Sequence, residues 1–161
     1  ALEEEGEIVL GIVSAPSLGR RWWGAKGLGA FTGRSWVGAR RIRVSEVADL
    51  ADASISYSSL SGWAARGQLR AFMRLTQQAW RTRAYGDFWS YMLVAEGAVD
   101  VAAEPELQLY DMAALVPIVE EAGGSFTSLH GEPGPWGGCA LATNGLLHAD
   151  VLEVLDSVRD G

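Results

Sequence analysis

The chain has 161 residues, of which 48% are hydrophobic and 20% charged, and these ordinary globular values exclude wholesale disorder. Its one cysteine excludes an internal disulfide framework and a cysteine-rich zinc module, and no apolar run approaches the ~20 residues that a membrane-spanning helix needs. A net charge of −7 argues against a general nucleic-acid binder. We therefore expect a cytoplasmic protein without nucleic-acid or membrane partners, and the acidic start ALEEEGE does not have the form of a signal peptide.

The first part of the chain predicts antiparallel strands. Residues 7–14 are β-branched and apolar, which is typical of a strand. Residues 21–31 form two aromatic-flanked runs around Gly27-Leu28-Gly29, which indicates a hairpin. Residues 40–45 alternate between polar and apolar side chains and predict a further strand.

From about residue 53, segments with strand character alternate with segments of helical periodicity. Strands are predicted over 53–58, 81–86, 99–103, 125–129 and 138–143, and helices over 67–80, 88–97, 112–122 and 146–158. This alternation predicts an α/β fold with layered sheets and partly parallel strands. Asp87 is placed to cap the helix over 88–97. Pro117 conflicts with a regular helix over 112–122, so that helix is either bent or begins later.

The charges are unevenly distributed along the chain. Residues 20–83 carry twelve bases and three acids, whereas residues 84–158 carry twelve acids and no Lys or Arg. Either the two stretches pair their surfaces within one fold, or basic groups bind an anionic ligand while carboxylates hold a hard cation.

The strongest chemical motif is Tyr110-Asp111-Met112-Ala113-Ala114, followed at 118–124 by IVEEAGG. Asp111 stands where a loop gives way to a helix. Its carboxylate either caps that helix or faces a cleft at the sheet edge, where α/β sites usually lie.

Asp-x-Ala-Ala followed by Glu-Ala-Gly-Gly resembles the C-terminal motif of the inositol monophosphatase family, in which a Trp usually stands at the position of Tyr110. The resemblance extends over residues 7–155. It implies the layered αβαβα fold that this family shares with fructose-1,6-bisphosphatase. The segments RRWWGAKGLGAF, SYSSLSGW and RAYGDFWSYMLVAEGAVDVAAEPE are most similar to the histidinol-phosphate phosphatase branch.

The resemblance implies roles for particular residues. Asp111 matches a ligand of the catalytic Mg²⁺, and Glu104 a carboxylate that contacts the organic part of the substrate. Gly86 matches a glycine of the substrate pocket, and Arg83 could meet the phosphate or orient Asp87. Asp87 replaces the usual Ser or Thr, which suits a substrate that carries an ammonium group and an imidazole. Helix capping by Asp87 and simple solvation of Glu104 remain the alternatives.

The same resemblance predicts that part of the site lies outside this chain. The family's Asp-Pro-Ile/Leu-Asp-Gly-Thr motif is missing, so we expect this chain to be the C-terminal part of such an enzyme, with the water-activating groups elsewhere. Residues 1–50 would complete an N-terminal sheet, and residues 51–161 would form a C-terminal subdomain.

The expected function is Mg²⁺-dependent hydrolysis of a small phosphate monoester, L-histidinol phosphate before inositol-1-phosphate or fructose-1,6-bisphosphate, by a homodimer. A different class stays open, in which the chain is a non-catalytic folding or dimerisation unit with an aromatic interface over 22–36.

Overall fold

The computed structural model describes residues 1–157, in which the strands form two sheets of five strands each. The first sheet is antiparallel and its strands follow chain order. These strands are β1 (Leu2–Glu4), β2 (Glu7–Ala15), β3 (Arg20–Ala25), β4 (Gly29–Gly33) and β5 (Arg40–Arg41).

The second sheet is mixed and has the strand order β7-β6-β8-β10-β9. Strand β6 pairs in parallel with β7 and β8, whereas β10 pairs antiparallel with β8 and β9. The strands are β6 (Ser54–Ser56), β7 (Arg81–Arg83), β8 (Val101–Glu104), β9 (Ser125–Thr127) and β10 (Ala140–Thr143).

Six α-helices are described, together with short 3-10 helices at Pro16–Leu18 and Leu50–Asp52. The α-helices are α1 (Leu60–Ala65), α2 (Leu69–Gln78), α3 (Asp87–Ala95), α4 (Leu109–Met112), α5 (Leu115–Glu121) and α6 (His148–Asp156). Within the described residues, no helix combines the length and apolar character that crossing a membrane requires.

Helices α3 and α5 lie between the two sheets. Helix α5 packs on β2, β3 and β4 of the first sheet and also contacts β9 of the second. The buried side chains of this layer form one hydrophobic core with Trp22 of β3 and Ala102 of β8. Helices α2 and α6 pack on each other, and a second core, which includes Phe72, Leu141 and Val151, joins them to the second sheet. The layers therefore alternate as sheet, helices, sheet, helices, which confirms the α/β class and the layering expected from the sequence.

Glu96 ties the first sheet to the end of α3. Its carboxylate accepts hydrogen bonds from the indole N–H of Trp22 and from Arg20, whose Nη2 lies 2.5 Å from Oε1. This contact helps to fix the position of α3, the helix that carries Asp87.

The predicted strand over 40–45 is wrong beyond Arg41. The N–H of Ile42 still donates to the carbonyl oxygen of Ala30 in β4. Beyond it the chain leaves the sheet, and the N–H of Val44 donates to the carbonyl oxygen of Ala122 at the end of α5. Polar-apolar alternation alone does not distinguish this extended segment from a strand, because both present alternate side chains to a core.

The predicted helix over 112–122 is two helices. Helix α4 ends at Met112 and α5 begins at Leu115, so Pro117 is the third residue of α5. A proline in the first turn removes no intrahelical hydrogen bond, which resolves the conflict in favour of a later start. The last predicted helix, over 146–158, is observed from His148 to Asp156, and residue 158 lies outside the described residues.

Two paired glycines allow α5 to approach the first sheet. Gly11 of β2 pairs with Gly24 of β3. A Cβ atom at Gly11 would lie 2.1 Å from the carbonyl oxygen of Ala114, and one at Gly24 would lie 2.7 Å from that of Pro117. Both positions therefore exclude every larger side chain unless the helix moves away from the sheet.

We expect Gly24→Ala to lower the free energy of unfolding by about 2 kcal/mol, because overpacking forces the backbone of α5 away from its core contacts. Urea unfolding measures this effect. The matched control is Gly62→Ala in α1, where the nearest neighbour of a Cβ would lie 3.4 Å away and alanine favours the helix. Equal stability of Gly24→Ala and the parent would contradict this packing argument.

Candidate active site

A cleft of about 400 Å³ lies where β2 of the first sheet, the start of α3 and the segment around α4 meet. Asp87 and Asp111 both line it, so the structure brings together two carboxylates that are 24 positions apart in the sequence. The remaining lining residues are mostly apolar or aromatic: Ile12, Val13, Phe88, Tyr91, Leu107, Tyr110, Ala114 and Leu115.

Asp111 is exposed at the third position of α4. Its Oδ2 accepts a hydrogen bond of 3.0 Å from the backbone N–H of Gln108, the N-cap residue, and the Gln108 side chain in turn accepts from the backbone of Asp111. The carboxylate thus belongs to a capping box and also faces the cleft, so the two alternatives drawn from the sequence are compatible.

Glu104 ends β8 and is buried, with 5% of its surface exposed. Burial raises its pKa to about 7, with a smaller upward contribution from Asp87, although hydrogen bonds from the hydroxyl and backbone of Ser58 act in the opposite direction. Glu104 is therefore not a solvated loop carboxylate. It is a buried carboxyl group that changes charge near neutral pH.

Ser58 joins Glu104 to the start of α3. Its hydroxyl donates to Oε1 of Glu104 and also accepts from the backbone N–H of Asp87, at 3.4 Å. From the sequence, the polar loop with Ser58, Ser59 and Ser61 after the strand over 53–58 predicts no more than an approach to a cleft. The contact itself joins positions 46 residues apart and has no local signal in the sequence.

The prediction that Asp87 caps α3 is wrong. Gly86 is the N-cap residue, Asp87 is the first residue of the helix, and no side-chain capping bond forms. Asp87 has a φ of +48°, a conformation that non-glycine residues rarely adopt, and Gly86 precedes it with a φ of +78°. Backbone strain of this kind is concentrated at functional sites, and in this chain it occurs where Asp87 lines the cleft.

Arg83 does not line the cleft in this structure. It is exposed at the end of β7, and its Nη1 donates to the carbonyl oxygen of Thr82 at 2.7 Å. Its expected role in binding phosphate stays a prediction, and the structure does not bring it together with Asp111.

Tyr91 also lines the cleft, four residues after Asp87, although no motif in the sequence singles it out. It stands within the apolar run of the helix predicted over 88–97, where a tyrosine is typical of a core residue.

The described residues do not by themselves make a magnesium site. Among residues 1–157 no group of three or more His, Cys, Asp or Glu side chains is arranged to hold a metal ion. Asp111 offers a carboxylate at the cleft, but Mg²⁺ requires a near-octahedral set of oxygen ligands. Asp111 fits as one member of such a set, and the other members are not among these residues.

The raised pKa of Glu104 predicts a pH-dependent stability. The folded protein holds the Glu104 proton up to about pH 7, whereas the ordinary pKa is 4.5. Between these values the folded state binds more protons than the unfolded state, so the free energy of unfolding falls as the pH rises. Glu104→Gln removes this dependence. Between pH 5 and pH 8, we expect the free energy of unfolding of the parent to fall by about 2 kcal/mol more than that of the variant.

Urea unfolding at the two pH values measures this loss, with Glu3→Gln on the exposed edge strand β1 as the control. Parallel pH profiles of the parent and Glu104→Gln would show that Glu104 is ionised throughout.

Comparison with known proteins places this geometry in a family. The model of the inositol monophosphatase family matches residues 1–159. Curated relatives named histidinol-phosphatase are 61% identical over 92% of this chain in Streptomyces coelicolor and 57% identical over 98% of it in Mycobacterium tuberculosis. The chain spans 56% and 60% of the length of these two relatives.

Solved structures agree with the sequence relatives. An IMPase from Thermotoga maritima superposes with a TM-score of 0.82 at 32% identity and covers 96% of this chain, which in turn covers 58% of that one. An inositol monophosphatase from Anabaena (Nostoc) sp. PCC 7120 superposes with a TM-score of 0.80 at 29% identity, with coverages of 93% and 59%. The chain belongs to the inositol monophosphatase family.

Proposed function

We propose that this chain is part of a Mg²⁺-dependent phosphatase that converts L-histidinol phosphate to L-histidinol. The observation that carries the proposal is the placement of Asp87, which lines the same cleft as Asp111 and is linked through Ser58 to the buried Glu104. One carboxylate suits a metal, while the other two can bind the cationic and polar groups of an amino-alcohol substrate. Relatives named histidinol-phosphatase, 57–61% identical to this chain, support the same substrate.

Each residue of the site has a role in the proposal. Asp111 would supply one oxygen ligand to Mg²⁺, and residues other than those described here would complete the metal site and activate water. A bound Mg²⁺ would supply polarisation of the phosphate and a lower pKa for the attacking water. Asp87 binds the substrate ammonium through a charge-assisted hydrogen bond, and Glu104 contacts the organic part. Gly86 lets the backbone approach the substrate closely, and Arg83 reaches the phosphate only if its side chain leaves Thr82.

We further propose, from the family resemblance, that residues 1–50 complete a larger N-terminal sheet and that the enzyme is a cytoplasmic homodimer. Only part of the segment over 22–36 could form the aromatic interface. Trp22 is buried and cannot contact a partner, whereas Trp36, which packs against Trp23, is 69% exposed. Sedimentation velocity of the enzyme tests the dimer.

The test of function uses the enzyme at the full length of its relatives. Hydrolysis of L-histidinol phosphate, inositol-1-phosphate and fructose-1,6-bisphosphate is compared by kcat/KM with and without Mg²⁺. We expect the largest value for histidinol phosphate and loss of activity without the metal. A preference for inositol-1-phosphate would refute the substrate. A relative from Thermotoga maritima that is named fructose-1,6-bisphosphatase/inositol-1-monophosphatase is 32% identical to this chain.

A further inference from the structure

Ser58 joins three elements of the site through one hydroxyl group. The residue follows β6, and its hydroxyl donates to Oε1 of Glu104 at the end of β8. The same hydroxyl accepts from the backbone N–H of Asp87 at the start of α3, at 3.4 Å. The proposed function assigns substrate contacts to the two carboxylates but no role of its own to this serine.

The start of α3 needs a hydrogen-bond acceptor from elsewhere in the fold. The first N–H groups of a helix have no partner within it, and Gly86, the N-cap residue, has no side chain that could accept from them. Asp87 also has a φ of +48°, a conformation that is uncommon outside glycine. A strained residue keeps its conformation only where its surroundings hold it. The contact with Ser58 therefore acts where the backbone is strained.

Glu104 determines the direction in which the Ser58 hydroxyl points. A serine hydroxyl has one proton to donate and two lone pairs that can accept. The buried carboxyl group of Glu104 receives the proton, so the lone pairs remain for the N–H of Asp87. None of these contacts requires a ligand to reach Glu104, because the influence on the cleft passes through the backbone of α3.

We propose that Ser58 is a positioning residue, which holds the first residue of α3 and thereby keeps the Asp87 side chain in place in the cleft. The inference rests on the proposed function, because it acts through the ammonium group that Asp87 binds. Ser58 itself does not touch the substrate. Its loss weakens recognition of an ammonium-bearing substrate and leaves an ester without that group unaffected.

The test compares Ser58→Ala with the parent at the full length of the relatives. We expect KM for L-histidinol phosphate to rise roughly fivefold with little change in kcat, as the loss of one neutral hydrogen bond predicts. For glycerol 2-phosphate, which has no ammonium group, we expect less than about a twofold change. Ser58→Thr keeps the hydroxyl and should restore KM. The control is Ser61→Ala, which removes an exposed hydroxyl of the same loop that donates to Ser59.

A double-mutant cycle separates positioning from a general structural role. If Ser58 acts through the Asp87 side chain, Ser58→Ala in an Asp87→Asn background should change KM for L-histidinol phosphate by less than about twofold. Additive losses in the double variant would overturn the inference, as would equal losses on both substrates in Ser58→Ala.

Hydrogen exchange of the Asp87 amide tests the contact without any substrate. In the parent, the bond to Ser58 should slow this exchange at least about tenfold relative to an unstructured chain, and Ser58→Ala should remove most of that protection. Ser58→Ala should also raise the pKa of Glu104 further, because the hydrogen bond from the Ser58 hydroxyl lowers it. An unprotected Asp87 amide in the parent would overturn the inference even if Ser58→Ala fails to fold.

The outcomes distinguish this inference from the proposed function. If the parent does not hydrolyse histidinol phosphate, the proposed function fails and the inference fails with it. If the parent is active but Ser58→Ala has the same KM, only the inference is overturned.

Discussion

Asp111→Asn should lower kcat/KM for L-histidinol phosphate roughly 1,000-fold in the enzyme at the full length of its relatives, because the metal ligation proposed for Asp111 would contribute several kcal/mol to transition-state stabilisation and each 1.36 kcal/mol is a tenfold change. Asparagine keeps an oxygen that can accept from the backbone N–H of Gln108, so the capping box should survive and the Tm should change little. The substitution removes the negative charge while preserving the local structure.

Two measurements check this prediction: kcat/KM at saturating Mg²⁺, and Mg²⁺ affinity by calorimetry without substrate. Both should fall together. Asp150→Asn is the matched control, since Asp150 is an exposed aspartate in the first turn of α6, away from the cleft. An Asp111→Asn enzyme with the parent's Mg²⁺ affinity and activity within a few-fold of the parent would show that Asp111 is a capping residue only.

The elements with simple periodicity could be predicted from the sequence. The strand over 7–14 and the hairpin over 21–31 correspond to β2, β3 and β4, because each has a buried face set by alternation and a turn set by glycine. The end of β5 and the break between α4 and α5 could not be predicted, because they depend on Val44 reaching the end of α5 and on how Pro117 is placed in a helical turn.

The features of the site also divide into those that motifs in the sequence indicate and those that only the folded structure shows. Asp111, Glu104, Gly86 and Asp87 were singled out through motifs, and the structure places Asp87 and Asp111 in one cleft. Their catalytic and binding roles remain proposals. The bond from Ser58 to Glu104 and the burial of the Tyr91 hydroxyl depend on tertiary packing between β6, β8 and α3. No sequence window contains these contacts, and the hydrogen bonds from Ser58 are among the interactions that set the pKa of Glu104.

Asp87 combines an unusual backbone conformation with a proposed role in substrate selection. Its φ of +48° is unfavourable for most side chains, and asparagine is among the residues that tolerate it best. Asp87→Asn therefore keeps the backbone and the volume while removing the charge. The backbone N–H that donates to Ser58 is unaffected.

We expect Asp87→Asn to lower kcat/KM for L-histidinol phosphate roughly 100-fold in the full-length enzyme, since a hydrogen bond between an ammonium and a carboxylate contributes about 1.5–3 kcal/mol. Hydrolysis of glycerol 2-phosphate, which has no ammonium group, should change little, and the Tm should stay near that of the parent. Because Asp87 raises the pKa of Glu104, removing its charge should also lower that pKa from about 7, which NMR titration of Glu104 can follow. A lowered pKa without a change in selectivity would mean that Asp87 acts only on its neighbour, and equal losses on both substrates would mean that it supports the fold of the cleft. Only a selective loss on the ammonium-bearing substrate agrees with direct recognition, because the substitution removes the charge and one acceptor oxygen while it keeps the volume.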